Sequence, residues 1–447
     1  MTNAQPQVSE YRCPGENYAI SRAVHLGRLA RFYPGCRQCV HRDDTGTLSP
    51  RQVRLLAETQ PRGKRQPLFH EEGAGGVYKN DLGPTAAREM AAAMGLWLQR
   101  PRACVPLLRR SSADSVPALL VPSSGTRAAE DGLPVVIAGD GRPLSADLVA
   151  AVSEGLRWTG CHVIDISPAT AACLAFAIDD LRASGGILVG NPGHQPQYVG
   201  LKFWDGTPRP LSAGGSLESL REIYESGTDR PTRSYGSLRR YQADVPYLAS
   251  LASRYHALRP LRLVLHSASG PLVGYLRKLT AQSACRIIPC RTTRAGLAEQ
   301  VQTEAAHFAA EVDGDGETCQ VFDEQGRPVP PERILLLVAR YLLSENPQGA
   351  VVLANDIPSG ISQAIEAAGG TAILPVQKDS TGETPVPPRR SAMAAAMEQH
   401  RAILGGGSDG RFWYSTAGPP LPDALMTLTL LLGILSQSDR PLSEVLR

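Results

Sequence analysis

The sequence predicts an α/β protein made of three consecutive α/β/α domains with mostly parallel sheets, preceded by a short N-terminal extension. Three observations predict it. The 447 residues exceed what one hydrophobic core fills and suit about three domains of ordinary size. From Gly73 onward, short apolar strands alternate with amphipathic helical stretches, the pattern of βαβ units. That rhythm restarts twice, each time after a polar break where few contacts need cross.

Residues 1–70 are rich in Arg, Gln and Pro and read as an extension; Ile20, Val24 and Leu26 to Leu29 recur at helical spacing and predict a helix over 20–32. The first domain, 71–237, carries the strands PVVIA (134–138), HVIDI (162–166) and GILVG (186–190), with helices such as 146–159 between them. The second, 238–346, carries LRLVL (261–265), RIIPC (286–290), HFAAEV (307–312) and TCQVFD (318–323). The third, 347–447, begins with AVVLA (350–354) and TAILPV (371–376). PSSGTRAAEDG (122–132) and QKDSTGETPVPPRRS (377–391) read as loops without chemistry.

With 42% apolar and 20% charged residues, the chain has globular proportions. Its formal charge of +3 and its scattered arginines exclude a nucleic-acid-binding stripe. The N-terminus MTNAQPQVSEYRC has no apolar stretch of signal-peptide length, and the longest greasy run, 424–435, is short of the roughly 20 residues of a membrane span. No membrane association and a cytoplasmic location are expected. Six of the nine cysteines, Cys161 and Cys319 among them, sit singly in apolar surroundings as reduced core residues do.

Three segments hold residues suited to chemistry. In VVIAGDGRPLSADLV (135–149) a Gly-Asp-Gly turn opens a helix, with Ser145 and Asp147 as capping candidates. Such a turn can hold an anion, and Arg142 could add a charge-assisted bond to phosphate. In GNPGHQPQYVGLKFWDG (190–206) the glycines and prolines force a loop at a strand's carboxyl end, where open α/β sheets place ligands. His194, Tyr198 and Lys202 are the groups there able to meet a phosphate or hydroxyl; a buried tyrosine and a solvated lysine are the plainer alternative. In EVDGDGETCQVFDEQGR (311–327), Asp313, Asp315 and Glu317 alternate so that their oxygens can converge on a hard cation such as Mg²⁺. A solvated β-turn would use the same residue types.

The extension holds a fourth candidate. Cys36 and Cys39 form a C-x₂-C pair which, with Cys13 and either His41 or His25, suits tetrahedral Zn²⁺. Residues 1–70 would then be a small interaction module; reduced surface cysteines are the alternative.

Taken in order, these segments resemble the phosphoglucomutase/phosphomannomutase (α-D-phosphohexomutase) family. The 135–149 turn is similar to its Asp-x-Arg turn, 190–203 to its TASHNPxxYNGxKF nucleophile loop, and DGDGET (313–318) to its DGDxDR metal loop. GVYKNDLGPTAAREMA (76–91) is similar to the opening strand and helix, and GGGSDGRFWY (405–414) stands where the family has its Gly-Glu-x-Ser-Gly-His sugar loop. The resemblance runs from about Gly73 to Arg447. It implies that a phosphoserine donates its phosphoryl to a hexose phosphate and is rephosphorylated after the sugar reorients. It further implies Mg²⁺ on Asp313, Asp315 and Glu317, and sugar-phosphate contacts from Arg142, His194, Tyr198, Lys202, Ser408, Asp409 and Arg411. In the family a fourth domain clamps the distal phosphate.

Several positions depart from the pattern. Pro192 or Gly193 stands at the phosphoserine position, Gly75 at an arginine, Thr318 at the metal-loop arginine and Gly407 at the sugar-loop glutamate. The sequence ends at Arg447, before the clamping domain would begin. Two readings follow. One is a non-catalytic relative that binds a hexose phosphate or weakly held Mg²⁺, or serves a protein partner. The other is an active phosphohexomutase with an atypical acceptor, His194, since an imidazole can act as nucleophile.

Overall fold

The computed structural model describes residues 11–13, 17–31, 33, 35–36, 39–58, 67–100, 132–191, 197–228, 234–290, 294–374, 390–415 and 419–446. Pro192, Gly193 and His194 lie outside them, so the acceptor position named above has no structural account here.

The extension pairs β1 (Tyr11–Arg12) with β2 (Ala19–Ile20) and adds the helices α1 (Arg22–Ala30) and α2 (Pro50–Glu58). Helix α1 is shorter than its apolar spacing suggests because the Ser21 side chain accepts from the Val24 N–H and fixes the start at Arg22.

The first unit contains β3 (Phe69–His70), β4 (Gly73–Val77), α3 (Pro84–Gln99), β5 (Pro134–Gly139), α4 (Pro143–Trp158), β6 (His162–Asp165), α5 (Ala171–Asp180), β7 (Gly185–Gly190), β8 (Tyr198–Asp205), α6 (Ser216–Ser226) and β9 (Leu238–Arg240). Its seven strands run in the order β3-β4-β8-β7-β5-β6-β9. The parallel strands β7, β5, β6 and β9 form one side, and β8, β4 and β3 are added antiparallel. Strand β9 lies just past residue 237, yet it pairs with β6 and completes the first sheet.

The second unit contains α7 (Asp244–Ala252), β10 (Arg262–Ser267), α8 (Gly270–Thr280), β11 (Arg286–Pro289), α9 (Arg294–Thr303), β12 (Phe308–Val312), β13 (Cys319–Phe322) and α10 (Pro331–Glu345), with sheet order β11-β10-β12-β13. The third contains β14 (Ala350–Leu353), α11 (Ser359–Ala367), β15 (Thr371–Ile373), α12 (Arg390–His400), β16 (Leu404–Gly406), β17 (Phe412–Tyr414), β18 (Leu421–Pro422), α13 (Ala424–Ser436) and α14 (Leu442–Val445), ordered β15-β14-β16-β17-β18.

The three units share a construction. In each, a parallel strand is followed by an antiparallel partner: β7 by β8, β12 by β13, and β16 by β17. The segments singled out in the sequence at 313–318 and 407–411 are the turns of the last two pairs.

One apolar cluster extends from Leu174 on α5 through Leu265 and Val338 to Leu430 on α13, and a second, with Met90, Val135 and Phe203, fills the other face of the first sheet. Helix α13 is buried on every side, which explains the greasy run at 424–435 as a core helix. Among the described residues no helix is long and apolar enough to cross a membrane.

Candidate functional site

The 313–318 loop lies where the three units meet. The Asp315 carbonyl accepts from Ala171 N–H at the start of α5 (3.0 Å), and the Gly316 carbonyl accepts from Ala424 N–H at the start of α13 (3.0 Å). On the far side, Cys319 N–H donates to the Gly410 carbonyl at 2.8 Å. Its approach to the end of β7 is so close that a Cβ on Gly190 would stand 2.1 Å from Asp315 Oδ1. Gly190→Ala is therefore expected to force the loop away and cost about 1–3 kcal/mol, read as a lower urea midpoint.

Asp313, Asp315 and Glu317 are all buried, but they face cations of the protein itself. Lys202, carried by β8 and 3% exposed, places Nζ 2.6 Å from Asp315 Oδ2 and 2.8 Å from Glu317 Oε2. Arg390, at the start of α12 and fully buried, donates through Nη2 to Glu317 Oε1. Its guanidinium carbon lies 5.0 Å from the centre of the Trp204 ring. Arg411 makes a bidentate pair with Glu72, Nη1 to Oε1 at 2.6 Å and Nη2 to Oε2 at 3.2 Å, and stands 3.9 Å from Glu317 Oε2. Asp313 Oδ1 accepts from the N–H groups of Glu317 (2.8 Å) and Thr318 (3.2 Å) within its own loop.

The electrostatics follow from burial set against this pairing. Burial and then the charge of Asp315 push the Asp313 carboxyl up to about 6. Burial also raises Asp315, even with Lys202 alongside. For Lys202 the loss of water favours the neutral amine, but Asp315 and Glu317 outweigh it and hold the ammonium. For Glu317 burial is overcome by Arg390, Lys202 and Arg411, so its carboxyl falls below the ordinary range. Glu72 falls to about 2, where Arg390, Arg411 and Lys202 outweigh burial.

A pH test follows from Glu72. Its folded value is depressed, so its contribution is present above the ordinary glutamate value and disappears as pH falls toward about 2. Between pH 4.5 and pH 2 the wild type is expected to lose up to about 3 kcal/mol on this account. Glu72→Gln, with lower stability at neutral pH, should show a flatter decline, measured by urea unfolding across that window.

The residues expected to touch substrate are mostly engaged elsewhere. Arg142 donates to Asp140 through Nε (2.6 Å), to the Tyr198 carbonyl through Nη1 (3.0 Å) and to the Gly190 carbonyl through Nη2 (3.2 Å). It thus ties Gly190 at the end of β7 to Tyr198 at the start of β8, where an open arginine for phosphate was expected. Ser145 donates to Asp140 at 2.7 Å, and Asp147 accepts from the Tyr78 hydroxyl at 2.7 Å. Tyr198 is half-buried, and its hydroxyl fills the space in which a Cβ on Gly75 would stand, 2.7 Å away. Ser408 donates to Asp356, and Asp409 accepts from the Arg411 N–H at 2.9 Å; both are exposed.

Two residues central to the site were not singled out by the sequence reading. Arg390 belongs to a stretch read as a loop without chemistry, yet it enters the charged cluster from the first turn of α12. Glu72 sits between β3 and β4, and its only advance signal is an acidic pair ahead of a glycine-rich strand.

Mg²⁺ prefers six oxygen ligands at about 2.0–2.1 Å; the loop offers three buried carboxylates, and neither Asp315 oxygen has a hydrogen-bond partner beyond the Lys202 ion pair. The Lys202 ammonium stands against two of the three carboxylates, and among the described residues no group of three or more His, Cys, Asp or Glu side chains is placed to hold a metal. Asp313, Asp315 and Glu317, the expected cation set, lie together in one buried loop beside Lys202. In the extension, Cys13, Cys36 and Cys39 are buried free thiols. Burial, then the charges of Cys13 and Cys39, push the Cys36 thiol up to about 11. Cys13 Sγ accepts from Arg28 at 2.9 Å, His41 packs edge-on to Tyr11 at 5.0 Å, and His25 stacks on that ring at 4.4 Å with Nε2 3.0 Å from the Asp44 carbonyl. Of the expected zinc set, Cys13, Cys36 and Cys39 are buried thiols and His41 lies against Tyr11, while His25 meets the Asp44 carbonyl.

Residues 120–229 match the family described as phosphoglucomutase/phosphomannomutase, alpha/beta/alpha domain I. The chain is 26% identical over 330 residues, 70% of each chain, to a probable phosphoglucosamine mutase of Thermococcus gammatolerans. It is 30% identical over 262 residues to phosphohexose mutases of Xanthomonas campestris pv. campestris, covering 54% of this chain and 58% of the relative. Among solved structures, a phosphoglucomutase/phosphomannomutase family protein from Burkholderia thailandensis superimposes with a TM-score of 0.69 at 20% identity, over 85% of this chain and 78% of that one.

Proposed function

Because the chain belongs to the α-D-phosphohexomutase family, we propose that it is a non-catalytic relative within carbohydrate metabolism: a three-unit scaffold whose ligand is a hexose phosphate or a protein partner. One observation carries this reading. Two carboxylates of the 313–318 loop, Asp315 and Glu317, are paired with Lys202 and Arg390, groups that join the units to one another. Charges held this way are engaged in structure before any phosphoryl group arrives.

The residues at the departing positions support the same reading. Gly407 lacks the sugar-binding carboxylate, and a Cβ there would stand 2.9 Å from the Ala354 Cβ and 3.3 Å from Asp356 Oδ1. Thr318 bridges to Arg411 by backbone pairing and offers no guanidinium. The test is a coupled assay of hexose 6-phosphate formation from glucose 1-phosphate and mannose 1-phosphate, with the 1,6-bisphosphate activator supplied. Background rates are expected. Turnover of about 1–1,000 per second, the ordinary enzyme range, would overturn the proposal.

A further inference from the structure

We infer that the N-terminal extension is a zinc module, with the thiolates of Cys13, Cys36 and Cys39 and Nδ1 of His25 as the ligands. This concerns the extension alone and does not depend on what the three α/β units do.

The extension has little else to hold it. Its apolar side chains gather in two small clusters, one of Tyr11, Cys13 and Ile20 and the other around Leu29, Cys36 and Leu56. Segments with so little core are ordinarily stapled by disulfides or by a metal, and these cysteines are free thiols. Each cluster contributes a cysteine, so one ion bound to both would join them.

Helix α1 sets the geometry. His25, Arg28 and Leu29 lie three and four residues apart and so share a face. His25 stacks on Tyr11 with 4.4 Å between ring centres, Arg28 Nη1 donates to Cys13 Sγ at 2.9 Å, and Leu29 shares a cluster with Cys36. Cys39 follows in the same turn, its N–H donating to the Cys36 carbonyl at 3.4 Å. The C-x₂-C spacing is the one that lets two sulfurs reach a single tetrahedral ion. All three cysteines are buried.

A hydrogen bond selects His25 as the fourth ligand. Its Nε2 lies 3.0 Å from the Asp44 carbonyl, which can only accept, so Nε2 carries the proton and Nδ1 keeps its lone pair. Histidines that bind zinc are held in this way, with a carbonyl or carboxylate on the other ring nitrogen. His25 is also buried, whereas His41 flanks Tyr11 from the edge, 5.0 Å between ring centres. Three thiolates and a neutral imidazole select Zn²⁺ over hard cations such as Mg²⁺. The complex would carry one net negative charge, and the Arg28 guanidinium on Cys13 balances it. Among the described residues no three of these side chains converge on one point as they stand. Thiols that keep their protons have no charge to gather around; the ion displaces those protons to solvent and draws the sulfurs in.

The test uses the full chain, purified without chelator. Elemental analysis is expected to find about one zinc per chain. Co²⁺ added after the zinc is stripped should give a sulfur-to-cobalt charge-transfer band and the intense visible bands of a tetrahedral site. Cys36→Ser should weaken Zn²⁺ binding by at least about tenfold, the lower end of what even an outer-shell change costs. The wild-type cobalt spectrum reports the sulfurs whether or not that variant folds. His41→Gln should keep the visible bands, and His25→Gln should lose them. A reduced wild-type chain that takes up neither zinc nor cobalt, or a cobalt spectrum without the sulfur band, would overturn the inference. So would a Cys36–Cys39 disulfide found by mass spectrometry in the freshly purified chain. Bands that survive His25→Gln and vanish in His41→Gln would overturn the choice of His25.

Discussion

Glu317→Gln is expected to destabilise the protein by about 3–5 kcal/mol, the cost typical of removing one partner from a buried ion pair. Glu317 is fully buried and is the one carboxylate that meets Lys202, Arg390 and Arg411 together. Without its charge, the first and third units bring cations into the junction with Glu72, Asp313, Asp315 and, beside Arg411, Asp409 left to balance them. The amide keeps the volume, so the loss reports electrostatics and not a cavity. Urea unfolding should show a lower midpoint with an unchanged slope. Combining it with Lys202→Met should cost less than the sum of the two single changes, since the contact they share is lost only once. Strictly additive costs would mean that the 2.8 Å pair does not couple the units.

Gly193→Ser, which returns a hydroxyl to one of the two candidate acceptor positions, is expected to leave mutase activity at background. A hydroxyl supplies an acceptor but neither activates nor positions anything. The sugar would still need a carboxylate where Gly407 stands, and that site is closed by Ala354 and Asp356. An arginine at Gly75 would in addition have to displace the Tyr198 hydroxyl, which stands 2.7 Å from its Cβ position. Positioning alone contributes about 7–11 kcal/mol in well-oriented reactions, and each 1.4 kcal/mol or so is about tenfold in rate. The coupled assay reads this directly; a gain of several orders of magnitude from the single hydroxyl would show that the remaining groups are already in place.

Most of the fold was legible in the sequence because it rests on local pattern. Strands such as Ala350–Leu353 and Arg286–Pro289 begin where their apolar runs begin, since alternation with amphipathic helices leaves little choice. The carboxylates of 313–318 were legible too, as spaced acids after a buried strand. What they pair with was not. Lys202 and Glu317 are 115 residues apart, and Arg390 and Glu317 are 73 apart. Such pairs depend on how whole units dock, which no periodicity encodes. Arg390 was hidden further by the Pro- and Thr-rich stretch before it, although a buried arginine opens the helix that follows. For Arg142, residue type suggested phosphate, while the fold turns its Nε, Nη1 and Nη2 to Asp140 and to the Tyr198 and Gly190 carbonyls.

The most direct test of the central claim, that this scaffold does not transfer phosphoryl groups, is incubation of the full chain with labelled hexose 1,6-bisphosphate followed by mass spectrometry of the intact and digested protein. No covalent phosphate on residues 190–206 is predicted, in either acid-stable or acid-labile form. Stoichiometric acid-labile phosphate on His194 would contradict the account and identify an active enzyme with a histidine acceptor.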